Sequence, residues 1–304
     1  MYKYNATITI LFVILFSACQ KPKEEKIKHE KINNFNDTML VRTENPKLIE
    51  FRSFVAQLDS SDINSVSLAV EKFKTTFNGQ QTSLCDSGFV VFQQLMDTID
   101  VKLNNQLQTD TTDFEHYFEI NKFPTKVLKF KELLAKKGFK LSSSEDMVFI
   151  EQDRTFSINT LASMLSEPMN LYLSELEIEN REGFSENSTI IISWKQHVDR
   201  IIWYENFIKA NPTFVFLENC INYKKAYFTY LLTGFENTKL FNPDKEKELS
   251  IYYTDAYGYL LKTYPDSETA QLTTPYLETI EQNSTMARRE LLKKYVIKGL
   301  IYNL

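Results

Sequence analysis

Apolar residues recur at every third or fourth position over most of the chain beyond residue 46. The clearest run contains Ile63, Val66, Val70, Phe73 and Phe77, whose spacing keeps all five side chains on one helical face. About ten stretches of this kind follow one another, separated by short polar segments. The pattern predicts an all-α fold, an irregular multi-helix bundle in which each helix buries one apolar stripe.

The helical spacing breaks down between residues 139 and 150. Phe139-Lys140-Leu141 and Val148-Phe149-Ile150 flank a polar run there, which is the pattern of either a short β-hairpin or an irregular loop. Farther along, Thr274-Pro275 has the composition of a helix cap followed by the first helical residue. We therefore expect a helix to begin at that point.

We assign residues 38–304 to one helical domain, which is long enough to bury a substantial core. The polar stretch 179–189, which includes Gly183, is the best candidate for an internal boundary. Two lobes that meet there are the alternative. No unit of constant length repeats along the chain, which argues against a regular solenoid.

The composition of the chain argues against several fold and function classes. The 304 residues include 7 Gly and 8 Pro, which is too few for a turn-dense β-sandwich or propeller. The glycines lie at least nine residues apart, which excludes glycine-rich nucleotide loops and the nucleophile elbow of serine hydrolases. The net charge of −5 argues against a nucleic-acid partner, because phosphate binding needs a basic face.

The chain begins with the parts of an export signal. Lys3 is the only charged residue before Cys19, and residues 8–16 are almost wholly apolar. This run is too short to span a bilayer, which takes about 20 apolar residues. The small residues Ser17 and Ala18 follow it and directly precede Cys19. Residues 1–18 are therefore predicted to be a signal peptide.

The stretch Leu15-Phe16-Ser17-Ala18-Cys19 resembles the lipobox of bacterial lipoproteins. The resemblance implies cleavage before Cys19 and acylation of that cysteine, so that the membrane is a partner through a lipid anchor. Phe16 is bulkier than the leucine usual at this place in the motif. An ordinary signal peptide with an incidental cysteine is the alternative.

Residues 19–37 are rich in charge and poor in apolar side chains, which predicts a flexible tether. Gln20-Lys21 and Lys23-Glu24-Glu25 resemble the charged export signal of surface-exposed lipoproteins of the Bacteroidetes type. The resemblance implies an outer-membrane location, and it leaves open whether the protein faces outward or toward the periplasm. Within the helical domain, the segment from Gly138-Phe139 to Gln152-Asp153 resembles only stretches of uncharacterised bacterial lipoproteins, and this resemblance implies no activity.

Catalytic motifs are scarce. His29, His116 and His197 occur without an HExxH or CxxC pattern, so we expect no metal and no cofactor. The acidic loop 145–153 carries Glu145, Asp146, Glu151 and Asp153. Paired carboxylates can cleave glycosidic bonds, so a cell-envelope glycan hydrolase that uses this loop is the alternative function. A solvated acidic loop is the simpler interpretation.

Cys85 and Cys220 are the cysteines that remain once Cys19 is set aside. An exported protein meets an oxidising environment, so a Cys85–Cys220 disulfide is one interpretation. Both residues also lie near apolar helical faces, where a free cysteine behaves as a small hydrophobic residue. Spacing alone does not decide between the two.

Aromatic residues are the most unusual feature of the chain, with 23 Phe, 16 Tyr and 2 Trp. Tyrosine combines an apolar ring with a polar tip, which suits both half-buried packing and the recognition of sugars or peptides. The candidate ligand-binding residues are the following tyrosines of the C-terminal half: Tyr223, Tyr227, Tyr252, Tyr253 and Tyr257. We therefore expect a lipid-anchored envelope protein, without catalytic residues, that binds or scaffolds a protein or glycan partner through an aromatic helical surface.

Overall fold

The structure is a computed structural model that describes residues 44–144 and 147–303. The predicted signal peptide 1–18, Cys19 and the predicted tether 19–37 lie outside the described residues, as do Glu145 and Asp146 of the acidic loop. The described residues from Glu44 onward belong to one compact unit. The polar stretch 179–189 lies inside this unit, at the end of one helix and in a small hairpin.

Twelve α-helices account for most of the described residues, which confirms the predicted all-α class. The N-terminal part contains α1 (Pro46–Val55), α2 (Ser65–Phe77), α3 (Thr82–Leu107), α4 (Phe114–Glu119), α5 (Thr125–Lys136), α6 (Arg154–Leu161) and α7 (Glu167–Glu182), with a 3-10 turn at Ala162–Met164. The C-terminal part contains α8 (Trp194–Ala210), α9 (Leu217–Thr233), α10 (Ile251–Thr263), α11 (Glu268–Glu281) and α12 (Thr285–Ile297).

Three antiparallel two-stranded hairpins interrupt the helices. They are β1 (Phe139–Ser144) with β2 (Met147–Gln152), β3 (Ser185–Glu186) with β4 (Thr189–Ile190), and β5 (Phe241–Asn242) with β6 (Lys245–Leu249). In the first hairpin Phe139 pairs with Gln152 and Leu141 pairs with Ile150. This hairpin is the element predicted near residues 139–150.

The first hairpin is joined to α3 by a side chain that substitutes for a third strand. Asn104 donates to the Ile150 carbonyl oxygen at 2.7 Å and accepts from the Ile150 N–H at 2.9 Å. The backbone N–H and carbonyl groups of Ile150, at the edge of β2, are thereby paired with α3. Gln152 adds a bond of 2.9 Å to Asp97 of α3. A two-stranded hairpin is marginal by itself, so these contacts fix its position.

The N-terminal core forms where α1 and α2 pack against the long helix α3. Phe51, Phe73 and Phe77 meet there with ring centroids 4.8–5.6 Å apart. Gly88 lies within α3, at the point where the Phe77 ring packs against the helix. A β-carbon at Gly88 would lie 2.4 Å from Cε2 of Phe77, so this contact requires glycine.

Gly88→Ala should therefore lower the free energy of unfolding by about 1–3 kcal/mol, which is typical of overpacking in a core. Gly258→Ala in α10 is the matched control, because nothing lies within 4 Å of its added β-carbon. The control should raise stability by up to about 1 kcal/mol through helix propensity. Chemical denaturation of both variants measures the difference. Equal effects would mean that the Phe77 ring does not enclose Gly88.

In the C-terminal half, α8 packs against α9, α10 and α11. α8 starts with a capping box, in which the Ser193 side chain accepts from the Gln196 N–H and the Gln196 side chain accepts from the Ser193 N–H. This cap sets the first turn of α8, and with it the direction of Trp194 and Lys195. Among the described residues, no helix is both long enough and apolar enough to cross a membrane.

Candidate functional site

The five candidate tyrosines differ in exposure. Tyr227, Tyr253 and Tyr257 are buried, whereas Tyr223 and Tyr252 are half-buried. Tyr223 stacks on the Tyr204 ring with centroids 5.4 Å apart. The three buried rings present no surface to a ligand in this arrangement.

Three tyrosines, two of them among the five candidates, donate hydrogen bonds to backbone carbonyl groups. The Tyr257 hydroxyl donates to the Leu231 carbonyl oxygen at 2.6 Å, and the Tyr276 hydroxyl donates to that of Leu232. Both carbonyl groups lie in the last turn of α9, where carbonyl groups have no N–H partner within the helix. The Tyr253 hydroxyl likewise donates to the Thr238 carbonyl oxygen at 3.1 Å. These hydroxyl groups therefore complete the hydrogen bonding of the core.

A buried polar cluster joins α7, α8 and α9. Arg200 donates to the Gly183 carbonyl oxygen at 2.8 Å and to the Glu182 carboxylate at 3.0 Å. The Tyr227 hydroxyl donates to Oε2 of Glu179 at 2.9 Å. Oε1 of Glu179 has no hydrogen-bond partner among the described residues. Burial raises the pKa of Glu179 to about 7, although Arg200 and Tyr227 act to lower it.

His197 lies beside this cluster and is fully buried. Its Nε2 is 2.9 Å from the Tyr227 carbonyl oxygen, which can only accept, so Nε2 carries the proton. Nδ1 lies 3.2 Å from the Tyr252 hydroxyl. Burial lowers the pKa of His197 to about 4, against the opposing effect of the Tyr227 carbonyl group. His197 is therefore a neutral, fully packed residue near pH 7.

A second aromatic group is half-exposed, and we call it the Asp199 cluster. It consists of Trp194, Lys195 and Asp199 of α8, Tyr259 of α10, and Tyr264, which follows α10. The Tyr259 and Tyr264 hydroxyls both donate to Oδ1 of Asp199 at 2.9 Å. Lys195 donates to Oδ2 of the same carboxylate at 2.5 Å.

The rings of the Asp199 cluster stand at steep angles to one another. Trp194 and Tyr259 have centroids 5.5 Å apart and an interplanar angle of 62°. Tyr259 and Tyr264 have centroids 5.8 Å apart and an angle of 90°. The Lys195 ammonium lies 5.1 Å from the Tyr259 ring centroid, within the range of a cation–π contact. Aromatic surface, negative charge and partial exposure coincide here.

A shallow cleft of about 330 Å³ lies farther along α8, between that helix, α9 and the start of α11. Glu205 accepts from the backbone N–H groups of Glu268 and Thr269 at 2.7 and 2.9 Å, so it caps α11. Lys224 bridges Glu205 and Glu268, with its Nζ 3.9 and 2.6 Å from their carboxylates. Three of the charged side chains that line this cleft, Glu205, Lys224 and Glu268, are thus already paired.

The described carboxylates of the acidic loop also have structural partners. Glu151 accepts from Ser142 at 2.5 Å and from Asn180 at 3.0 Å. Asp153 is the N-cap of α6 and accepts from the Thr155 N–H at 3.0 Å. The hydrolase alternative gains no support from this geometry. Within residues 44–144 and 147–303, no three potential metal ligands of the His, Cys, Asp or Glu type converge.

Cys85 and Cys220 are free, buried thiols, so the structure contains no disulfide between them. Burial raises the pKa of the Cys220 thiol to about 12, and burial also raises the pKa of Cys85. Both side chains are therefore protonated and chemically inert at neutral pH. The disulfide interpretation is corrected accordingly, and the packing interpretation describes both residues.

The Asp199 cluster was not among the sites predicted from the sequence. The four-residue spacing of Lys195 and Asp199 was the available signal, because it places the two side chains on one helical face. Tyr259 and Tyr264 reach Asp199 only because α10 packs against α8. That contact is tertiary and leaves no mark in the local pattern.

No protein-family model matches the chain, and comparisons with curated proteins and with solved structures give no match either.

Proposed function

We propose that the protein is a lipid-anchored binding protein of the cell envelope, without catalytic activity, whose ligand contacts the Asp199 cluster. The observation that carries the proposal is the set of half-exposed aromatic rings arranged around one half-exposed carboxylate. Aromatic side chains with polar tips are enriched where proteins bind partners, because they offer large contact areas at low entropic cost.

The geometry of the cluster also supports binding because its polar atoms are already held in place. Two tyrosine hydroxyls and one ammonium group fix the Asp199 carboxylate before any ligand arrives. A preorganised surface loses little side-chain entropy on binding, which leaves more of the contact energy for affinity. The proposed binding surface then lies on α8 and α10, in the same C-terminal half as the candidate tyrosines.

The proposed location rests on the sequence. Leu15 to Cys19 resemble a lipobox, and residues 19–37 would separate the helical body from an acyl anchor at Cys19. The partners are then the membrane, through the anchor, and a protein or glycan of the envelope, through the Asp199 cluster. The protein would lie at the outer membrane, on either its outer or its periplasmic side.

The binding surface is tested by screening soluble envelope glycans and peptides against the immobilised protein and against Trp194→Ala. We expect at least one ligand that the variant retains at least tenfold less tightly. Phe123→Ala is the matched control, because Phe118 and Phe123 also form a half-buried pair of rings, 5.1 Å apart, beside a lysine. Equal binding by all three proteins, or no ligand at all, would contradict the proposal.

The anchor is tested separately with Cys19→Ala. Metabolic labelling with an acyl-chain precursor should mark the wild type and leave the variant unmarked. Protease treatment of intact cells then determines the side of the membrane, because an outward-facing body is cleaved and a periplasmic one is protected. Equal labelling of wild type and variant would show that Cys19 carries no lipid.

A further inference from the structure

We infer, on the basis of the proposed binding function, that the Asp199 cluster recognises an organic cation, an alkylammonium group, and that the Lys195 ammonium occupies the position this ligand would take. The inference names the ligand class of the same surface. It depends on the ring geometry, on the direction of the hydrogen bonds and on the placement of Lys195.

The ring geometry is suited to a cation. Trp194 and Tyr264 stand at 62° and 90° to Tyr259, so the three rings do not form one flat platform. The face of Tyr259 already carries a cation, the Lys195 ammonium, 5.1 Å from the ring centroid. The faces of aromatic rings are negative and attract a positive group. Aromatic faces recognise quaternary ammonium and methylated lysine groups in this way in other proteins.

The directions of the hydrogen bonds also favour a cationic ligand. Both tyrosine hydroxyls use their protons on Oδ1 of Asp199, so their remaining capacity is to accept. The carboxylate itself can only accept. The hydroxyl and carboxylate groups of the cluster therefore offer acceptors and negative charge to a ligand. This favours a donor or a cation over an anion.

Lys195 shows that an ammonium group fits. Its Nζ lies 2.5 Å from Oδ2 of Asp199 and 5.1 Å from the Tyr259 ring centroid, so one ammonium contacts both the carboxylate and an aromatic face. The hydrogen bond to Asp199 is the largest cause of a raised pKa at Lys195, followed by that to Tyr259.

Lys195 can also leave the site at little cost. Its side chain is 55% exposed and lies in the first turn of α8, so solvent can accept the released ammonium. A cationic ligand that replaces it keeps the charge of the cluster unchanged. An exposed ion pair four residues apart on a helix contributes little to stability, so the lysine is a weak competitor.

The pair Phe118 and Phe123 shows how the Asp199 cluster differs from a simple lysine–aromatic contact. Lys131 lies 4.0 Å from the Phe123 ring centroid and 5.2 Å from that of Phe118. These rings have no hydroxyl groups. The Asp199 cluster adds a carboxylate on which two hydroxyl groups converge, and this supplies the negative charge that a free cation needs.

The test uses the fluorescence of Trp194 in the full chain. The chain has 2 Trp, so Trp203→Phe leaves Trp194 as the single reporter. In this background, choline chloride is titrated against the Lys195 protein and against Lys195→Ala, with sodium chloride at equal ionic strength as the control. We expect a saturable change for choline in both proteins, with binding about two- to threefold tighter after Lys195→Ala, the gain from removing a weak intramolecular competitor. Asp199→Asn should weaken binding at least tenfold.

The source of the ammonium group is distinguished by two further probes, the Nα-acetyl amides of lysine and of trimethyl-lysine. Tighter binding of either peptide-like probe than of choline would identify a protein side chain as the ligand, and the reverse would identify a free quaternary amine. Circular dichroism of Lys195→Ala and Asp199→Asn checks that both variants keep the helical fold. If either variant loses the helical fold, Tyr259→Leu is used in its place to test the Asp199 cluster.

A response to choline no larger than that to sodium in Lys195→Ala would overturn the inference. If the ligand screen still shows a loss in Trp194→Ala, the proposed binding function stands with a different ligand class. If that loss is also absent, both fail. A saturable choline response that Asp199→Asn leaves unchanged would likewise overturn the inference, because the carboxylate is its centre.

Discussion

Arg200→Met should lower the free energy of unfolding by about 3–5 kcal/mol, the cost typical of removing one partner from a buried ion pair. The Arg200 side chain is 4% exposed and neutralises Glu182 while lying close to Glu179. Methionine fills similar volume, so the loss reports charge and hydrogen bonding rather than a cavity. The Gly183 carbonyl oxygen also loses its 2.8 Å bond.

Chemical denaturation at pH 8 measures this loss, because Glu179, with a pKa of about 7, is then mostly charged. At pH 5 the loss should be smaller, since a protonated Glu179 does not need the guanidinium group. Arg181→Met is the matched control. Its side chain is 64% exposed and pairs with Glu177 at 3.3 Å, so its removal should cost less than about 1 kcal/mol. Similar losses for the two variants would mean that Arg200 is solvated.

Glu179 and His197 should impose opposite pH dependences on stability. Glu179 has a pKa raised from 4.5 to about 7 in the folded protein, so its neutral form is favoured by folding. Stability from this group is complete below pH 4.5 and is lost as the pH rises through about 7. The interval corresponds to about 3 kcal/mol, at 1.36 kcal/mol per unit.

His197 has the reverse sign. Its pKa is lowered from 6.5 to about 4, so stability is complete above pH 6.5 and is lost as the pH falls through about 4. This interval also corresponds to about 3 kcal/mol. Between about pH 4.5 and 6.5 the two slopes oppose each other in the wild type, so neither is visible by itself.

Single substitutions separate the two slopes. Glu179→Gln should leave a protein whose unfolding free energy falls by about 3 kcal/mol more than that of the wild type between pH 7 and pH 4. His197→Gln should give the opposite result, with stability that falls as the pH rises over the same range. Denaturation midpoints at half-unit pH steps measure both curves. Asp100, whose pKa burial raises to about 6, contributes equally to all three proteins and cancels in the comparison. Parallel curves would contradict the assigned burial of both groups.

Local pattern was sufficient to predict most of the helices and the first hairpin. The run from Ile63 to Phe77 places its apolar residues on one face, and α2 covers residues 65–77 of it. Phe139 and Ile150 lie in paired strands, as the break in helical spacing indicated. Such signals are local, because one element must present its own apolar side chains to a core.

Predictions failed where a tertiary contact overrides the local preference. Thr274-Pro275 does not start a helix, since α11 begins at Glu268 and contains Pro275 in its interior. The start of α11 is set by the Ser267 cap and by Glu205 of a distant helix.

The candidate site shows the same limit. Sequence reasoning identified the tyrosine-rich region, but it could not distinguish Tyr257, whose hydroxyl bonds a buried carbonyl group, from Tyr259, whose hydroxyl bonds a half-exposed carboxylate. The two residues are two positions apart on α10, so they point to different sides of the helix. What each side meets depends on the packing of α8 and α9, which no local pattern specifies.

The bonds from tyrosine hydroxyls to the last carbonyl groups of α9 determine how far the neighbouring helices can slide. A shift of α10 by one helical turn would move its side chains by about 5.4 Å relative to α9. Such a shift would separate the Tyr257 hydroxyl from Leu231, and the same movement of α11 would separate Tyr276 from Leu232. Each separation would leave a buried carbonyl group without a donor, at about 1–3 kcal/mol. The two tyrosine hydroxyl groups therefore stabilise the observed register, and phenylalanine at either position would remove that contribution.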